Sequence, residues 1–375
     1  MQKVTAYYID DEQDVVTAAT DTAIRYAERL SRAGNFDCIP MFPPQWSALD
    51  GELLQSLPDL FLIDYDLSRV QEDGTKAAYR GSTLANEIRA RYPHIPIVLI
   101  TRQSVLDNLD SQTKRLLLRH MQSFDDLILK SSLNENLDST RQILVSLVFG
   151  FKALAQISNR NWQNLLPLLD VDDDESEQLR ESAPPLQNGE WTIAEIGKWV
   201  REVLLGYPGI LYDSLHVATK LGISEEVFHE SALQEMFRPA LYTGIFSDTT
   251  NRNRWWKGRV FIIAQELMQQ LDVNGPINTV FPEVVEKLIE KPVQRAICCW
   301  DGKPTADWVC SVRNEPVKFE HTLRYYPDSR PSIMDEARVS FRAIWESSNF
   351  QEQLLDSVGI EIAREIQQSE DPRKS

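Results

Sequence analysis

"PDLFLIDYDLS", Pro58 to Ser68, is an apolar run that stops on two aspartates, Asp64 and Asp66, separated by one tyrosine. A short continuous apolar segment suits a strand covered on both faces, as in a parallel sheet. Carboxylates taken out of water without partners are costly. A buried strand ending in a pair of them therefore calls for compensating groups elsewhere in the chain.

From the start to about Gly150, short apolar strands alternate with amphipathic helical patterns. The strands read as "VTAYYI", "DCIPMF", "LFLID", "IPIVLIT" and "DLILK", with helical patterns at about 13–33, 46–56, 82–92, 105–120 and 138–155. This alternation predicts an α/β domain, a five-stranded doubly wound parallel sheet with helices on both faces. In such sheets ligands and catalytic groups collect at the carboxyl ends of the strands. Those ends carry Asp10 and Asp11 on the first strand, Asp64 and Asp66 on the third, Thr101 on the fourth and Lys130 on the fifth.

Carboxylates converging at one sheet edge cannot all stay ionised unless a cation offsets their repulsion. Mg²⁺ fits, because it prefers oxygen ligands, keeps several waters and is commonly held by one or two carboxylates plus a phosphate. A lysine then holds a phosphoryl oxygen as a point charge and a hydroxyl bonds another, during in-line transfer to a carboxylate nucleophile.

Four stretches, "YYIDDE", "PDLFLIDYDLS", "GSTLANEIRARYPHIPIVLIT" and "DLILKSS", occur in this order on the corresponding elements. Together they resemble the receiver domain of two-component response regulators, over roughly residues 3–152. The resemblance implies a flavodoxin-like receiver fold with Asp64 as phospho-acceptor and Asp11 as a direct Mg²⁺ ligand. It further implies Asp10 acting through water, Asp66 lending a backbone carbonyl to the metal, and Thr101 and Lys130 contacting the phosphoryl group. The phosphodonor it implies is a histidine kinase or a phosphotransfer protein.

Four features depart from the family pattern. Ser131 follows Lys130 where a proline is usual, Leu127 stands at the position of a switch aromatic, and Arg102 follows Thr101 in place of a small residue. The loop Ser68–Ser82 is longer than usual, and a long loop beside an active site is often a lid or a partner surface.

Composition sets the domain plan: residues 1–155 as the phospho-acceptor domain, 156–190 as a helix end and acidic connector, and 191–375 as a mainly helical output domain. The connector includes "LDVDDDESEQLRESAPPLQNGE", Leu169–Glu190, which reads as acidic and proline-containing. Beyond it come helical patterns at about 192–205, 209–221, 224–238, 256–272 and 281–290. Alternating segments at 295–300, 307–313 and 317–325 predict a small antiparallel sheet, followed by closing helices at 333–347 and 350–368.

Three weaker signals lie in this second part. "HVATKLGISEEVFHESALQ", His216–Gln234, has the spacing of a helix-turn-helix, but Glu225, Glu226 and Glu230 oppose entry into a DNA groove. "NRNRWWKGR", Asn251–Arg259, interleaves Arg252, Arg254, Lys257 and Arg259 with Trp255 and Trp256, a composition that also suits a helix start with core tryptophans and solvated charges. Cys298, Cys299, Cys310 and His321 offer four zinc ligands, yet adjacent cysteines and ten-residue gaps do not match the usual two-residue knuckle, so buried thiols are expected.

The chain has 375 residues, 42% hydrophobic and 25% charged, with a net charge of -17 and a pI near 4.8. Such a field repels phosphate backbones and argues against DNA output. No apolar run approaches the roughly 20 residues of a membrane span. The start shows no signal-peptide profile, and four cysteines make no disulfide framework, so a cytoplasmic, membrane-free protein is expected. No enzyme motif follows residue 155, which leaves receiver phosphotransfer as the only expected chemistry. The favoured output is binding to a protein partner. The alternatives are an effector enzyme acting on nucleotides or nucleic acid near Arg254 and Trp255, or a phosphate sink in a relay; a homodimer is compatible with each.

Overall fold

The computed structural model describes residues 3–12, 23–32, 34–43, 57–67, 77, 79–103, 123–184, 191–247, 253–326, 334–346 and 350–369. Five strands, β1 (Val4–Ile9), β2 (Phe36–Met41), β3 (Leu60–Asp64), β4 (Ile97–Thr101) and β5 (Asp126–Leu129), form one sheet in the order β2-β1-β3-β4-β5. Every neighbouring pair is parallel. All residues of β3 and β4 are buried, as continuous apolar runs in a sheet covered on both sides must be. Each fully buried Leu, Ile or Phe there stabilises the fold by about 1.5–3 kcal/mol.

Side chains alternate across the strands. Tyr7, Ile9, Phe61, Ile63 and Leu99 share one core with Leu84 and Ile88, which lie on the helix α2 (Gly81–Arg91). The remaining described helices here are α1 (Ala23–Ser31), α3 (Ser132–Glu135) and the 19-residue α4 (Leu137–Ala155). The helical patterns expected at 46–56 and 105–120, the start of the one at 13–33, and residues 68–76 and 78 of the long loop lie outside the described residues.

Contacts divide the chain into two compact units, and the division differs from the one composition suggests. The first unit comprises residues 1–168, 184–201 and 245–251; the second comprises 169–183, 202–244 and 252–375. In the first, aromatic side chains from beyond residue 155 extend the core. Trp162 packs edge-on against Trp191 and Trp199 at 6.1 Å each, and Phe246 lies against Phe151, also at 6.1 Å. A Cβ at Gly150 would stand 2.2 Å from the Phe246 ring, so only glycine admits that ring. These aromatics, spread over some ninety residues of chain, explain why a boundary drawn from composition falls elsewhere.

The acidic segment expected to run as an unpacked connector holds the helices Trp162–Leu169 and Asp173–Arg180, the second opened by a capping box between Asp172 and Glu175. In the second unit, Arg259 pairs with Asp170, Asp172 and Glu175, so much of that acidic run is compensated rather than solvated.

The rest of the second unit is mainly helical. The expected helix-turn-helix begins with Ser214–Leu221, closes on Gly222 in the left-handed region, then breaks into the short helices Glu225–Phe228 and Ser231–Met236. Phe228 and Phe237 bury in a core with Trp255 and Phe281. In place of one small sheet, the strands pair two by two, each antiparallel: Trp308–Val309 with Pro316–Val317, Thr322–Arg324 with Arg338–Ser340, and Leu211–Tyr212 with Trp255–Trp256. Segment 295–300 adds a single bridge, Arg295 to Ile223.

Candidate functional site

The carboxyl ends of β1 and β3 bring Asp10, Asp11 and Asp64 together with carboxylate oxygens all within 4.8 Å of one another, and all three residues are buried. Lys130, at the end of β5, closes the group. Its Nζ lies 2.8 Å from Asp10 Oδ2, 3.1 Å from Asp64 Oδ1 and 3.6 Å from Glu12 Oε2. The lysine is held in register from below, because its backbone N–H donates to the Thr101 carbonyl at 2.8 Å. The absence of proline after Lys130 therefore does not keep this side chain from the acids.

Backbone amides hold the carboxylates in turn. The Glu12 N–H donates to Asp10 Oδ1 at 2.7 Å and the Asp66 N–H to Asp64 Oδ2 at 3.3 Å. Gly81 sits directly over the end of β3, since a Cβ there would stand 2.0 Å from the Asp64 carbonyl oxygen. That close approach lets α2 start against the end of β3. Thr101 lies one register step beyond the residue paired with Asp64, and its buried Oγ1 has no hydrogen-bond partner. Buried hydroxyls in native proteins nearly always have one.

Three buried carboxylates face one ammonium, and the titration of Asp64 reflects this. Burial and the charge of Asp10 push its carboxyl up to about 7, while Lys130 pulls the other way. For Lys130 burial disfavours the ammonium, but Asp10, Asp64 and Glu12 outweigh it and hold the group above the ordinary lysine range. The donor set is all oxygen and carries excess negative charge, which fits a hard divalent cation such as Mg²⁺. Asp10, Asp11 and Asp64 would hold it.

Asp10, Asp11, Asp64 and Lys130 are thus in direct proximity, and Thr101 lies on the strand between Asp64 and Lys130. Asp66 contributes its main chain, and its side chain is exposed. Two residues of the site carried no sequence signal of their own. Glu12 faces Lys130 and also pairs with the exposed Arg102, which settles what that bulky cation does. Tyr8, two residues before Asp10, is buried, and burial together with Asp10 and Asp64 suppresses its ionisation. Leu127 is half-buried against the core shared by Phe61 and Ile63.

The basic stretch of the second unit has the opposite character. Trp255 and Trp256 are 2% and 0% exposed. Arg254 donates to the Leu205 carbonyl at 3.1 and 3.2 Å, Lys257 pairs with Asp335 at 2.9 Å, and Arg259 is taken by three acids. Arg252 lies outside the described residues. Cys298 and Cys310 are buried, and Cys299 is half-buried.

No protein-family model and no curated protein matches this chain. Solved structures do. A two-component response regulator of the LuxR family from an Aurantimonas species is 14% identical, with 40% of this chain and 87% of that one covered, at a TM-score of 0.28. The N-terminal signal receiver domain of a response regulator from Bacteroides fragilis is 21% identical over 36% of this chain and 93% of its own, at 0.25. The signal receiver domain of a LuxO repressor protein from Vibrio parahaemolyticus is 12% identical over 42% and 99%, at 0.29. The fold itself is read from the sheet order, which is the flavodoxin-like winding. The N-terminal sheet and its helices therefore have the flavodoxin-like doubly wound fold. Among the described residues, no helix is long and apolar enough to cross a membrane.

Proposed function

We propose that this chain is a response regulator that accepts a phosphoryl group on Asp64 and signals through a protein partner of its second unit. The observation that carries the reading is Lys130, a buried ammonium bridging Asp10 and Asp64, next to a buried threonine hydroxyl with nothing to bond. A structural salt bridge needs neither the surplus of acids nor the orphan hydroxyl. A site completed by a cation and a phosphoryl group uses both.

In this reading an Asp64 oxygen attacks the phosphorus of a phosphohistidine on a kinase or phosphotransfer protein. The phosphorus–nitrogen bond breaks as the new oxygen–phosphorus bond forms, and the leaving imidazole ends neutral after taking up a proton. Lys130 turns from Asp64 to a phosphoryl oxygen, and the Thr101 hydroxyl donates to another. Asp10, Asp11, Asp64 and the carbonyl of Asp66 would hold a Mg²⁺ ion, which when bound would supply charge neutralisation to the transferring group. The added negative charge is the local event that biases the rest of the molecule. Residues 1–155 serve as the acceptor domain and the later helical part as the docking surface, in a cytoplasmic protein. The net charge of -17 argues against nucleic acid as the target.

Incubation with acetyl phosphate and Mg²⁺, read by intact mass, tests the assignment. Wild type gains one phosphoryl group and Asp64→Ala gains none. Equal gain by Asp64→Ala would remove Asp64 from the role.

A further inference from the structure

The second unit holds a second group of ligand-bearing side chains, unrelated to the acid pocket. Cys298 Sγ, an Asp301 carboxylate oxygen and a His321 ring nitrogen lie within 4.8 Å of one another. Cys298 Sγ and His321 Nδ1 are 3.5 Å apart. Two ligands bound at about 2.3 Å (sulfur) and about 2.05 Å (nitrogen) at a tetrahedral angle are separated by roughly 3.6 Å, so this spacing is that of a shared zinc ion.

The local backbone points the same way. The segment "CCWDGK", Cys298–Lys303, turns back on itself: the Gly302 N–H donates to the Cys298 carbonyl at 2.9 Å and the Cys298 N–H to the Lys303 carbonyl at 2.8 Å. Gly302 has φ 70°, the left-handed region that favours glycine. The Lys318 N–H meets Cys298 Sγ at 3.4 Å. A tight turn that opens on a buried thiol, with the next ligand three residues on and a glycine after it, has the form of a metal knuckle in which Asp301 occupies the place of the second cysteine. Cysteine spacing alone hides it, because the second ligand of the turn is an aspartate.

His321 presents one ring nitrogen to the sulfur. Nδ1 faces the sulfur and Nε2 faces the Glu320 carboxylate at 3.8 Å. Asp301 and His321 also line a cavity of about 830 Å³, together with Trp300, Lys303, Phe341 and Glu365. Structural zinc sites close on four protein ligands, whereas a three-ligand site with two of its ligands on a cavity wall leaves a fourth position for water or a small ligand.

We infer that Cys298, Asp301 and His321 bind one zinc ion whose fourth coordination position opens to this cavity. Thiolate, imidazole and carboxylate on one ion select zinc over the Mg²⁺ suited to the acid pocket. Binding releases the thiol proton, and the zinc charge offsets the thiolate and carboxylate brought together.

The test uses the full chain stripped with chelator and reloaded. Metal analysis should find one tightly held zinc per chain. Loading with Co²⁺ should give the near-ultraviolet thiolate-to-cobalt charge-transfer band, which carboxylates in the acid pocket cannot produce. That band should vanish in Cys298→Ser and persist in Cys299→Ser and Asp64→Asn, and zinc affinity should fall at least tenfold in Asp301→Asn and in His321→Ala. X-ray absorption of the zinc-loaded wild-type protein needs no variant and should show one sulfur with nitrogen and oxygen neighbours. No sulfur in that shell, two sulfurs, or a charge-transfer band unchanged in Cys298→Ser would overturn the site.

Discussion

The acid pocket of the first unit and the basic stretch of the second are both concentrations of charge in the sequence, and the structure treats them in opposite ways. Around Arg254, Lys257 and Arg259 each described cation has an acid or carbonyl opposite it, and both tryptophans are core. Around Asp64 three buried acids lie together, two of them on one lysine, and the Thr101 hydroxyl on the next strand is buried without a partner, as is the Trp256 ring nitrogen in the basic stretch. Charge that is matched within the fold is explained by the fold. Like charge gathered in a buried place, where it is most costly, points to something the protein binds or receives.

That contrast can be broken at four points. The largest effect is expected for Lys130→Ala, which removes the buried ammonium that Asp10 and Asp64 share. Phosphoryl uptake should fall at least a hundredfold, and in chelator the first unit should lose about 3–5 kcal/mol, as when one partner of a buried pair is removed. Urea unfolding in EDTA reads the loss, and Mg²⁺ should restore part of it. Unchanged stability would mean that the acids do not depend on the lysine.

The next effect is pH-dependent. Because the Asp64 carboxyl is held near 7 in the folded chain, against an unfolded value near 4, the native metal-free protein binds the extra proton between those limits. Its contribution is fully present below the unfolded value and is lost as pH rises through about 7, so metal-free stability should fall across that window. Asp64→Asn should lack the fall and be more stable than wild type at pH 8 by about 1–3 kcal/mol, a range reduced from the full linkage because the acids share protons with one another. Parallel pH–stability curves for the two proteins would contradict this.

On the other side of the comparison, Arg259→Ala should destabilise the second unit by about 1–2 kcal/mol by freeing Glu175, Asp172 and Asp170, with phosphoryl uptake unchanged. A loss of uptake would join the two regions functionally. The smallest change in stability is expected for Thr101→Val. Replacing an unpartnered buried hydroxyl by a methyl group should leave stability equal or up to about 1 kcal/mol higher, while uptake slows severalfold. A marked destabilisation would mean the hydroxyl is already satisfied.

Much of the first unit was legible because its signals are local. Continuous apolar runs fix β3 and β4, and a polar residue at the end of such a run falls at the carboxyl edge whatever its partners are. Asp10, Asp11, Asp64, Thr101 and Lys130 could therefore be placed from the strands alone. The rest depended on distant groups. Helix Asp173–Arg180 looks like a solvated linker until Arg259, more than eighty residues later, is set against it. The reach of the first unit's core to Trp191 and Phe246 likewise comes from packing that no short window contains. Glu12 was hidden for a different reason, since its role follows from Lys130 and Arg102 meeting it from other strands.

The central claim is that Asp64 forms an acyl phosphate, and that bond can be located chemically. Phosphorylating the wild-type chain with acetyl phosphate and Mg²⁺, reducing it with borohydride and sequencing its peptides by tandem mass spectrometry converts a phosphorylated aspartate to homoserine. Homoserine at position 64, and at no other aspartate, is the result predicted here; homoserine at position 10, 11 or 66 instead, or at none, would contradict it.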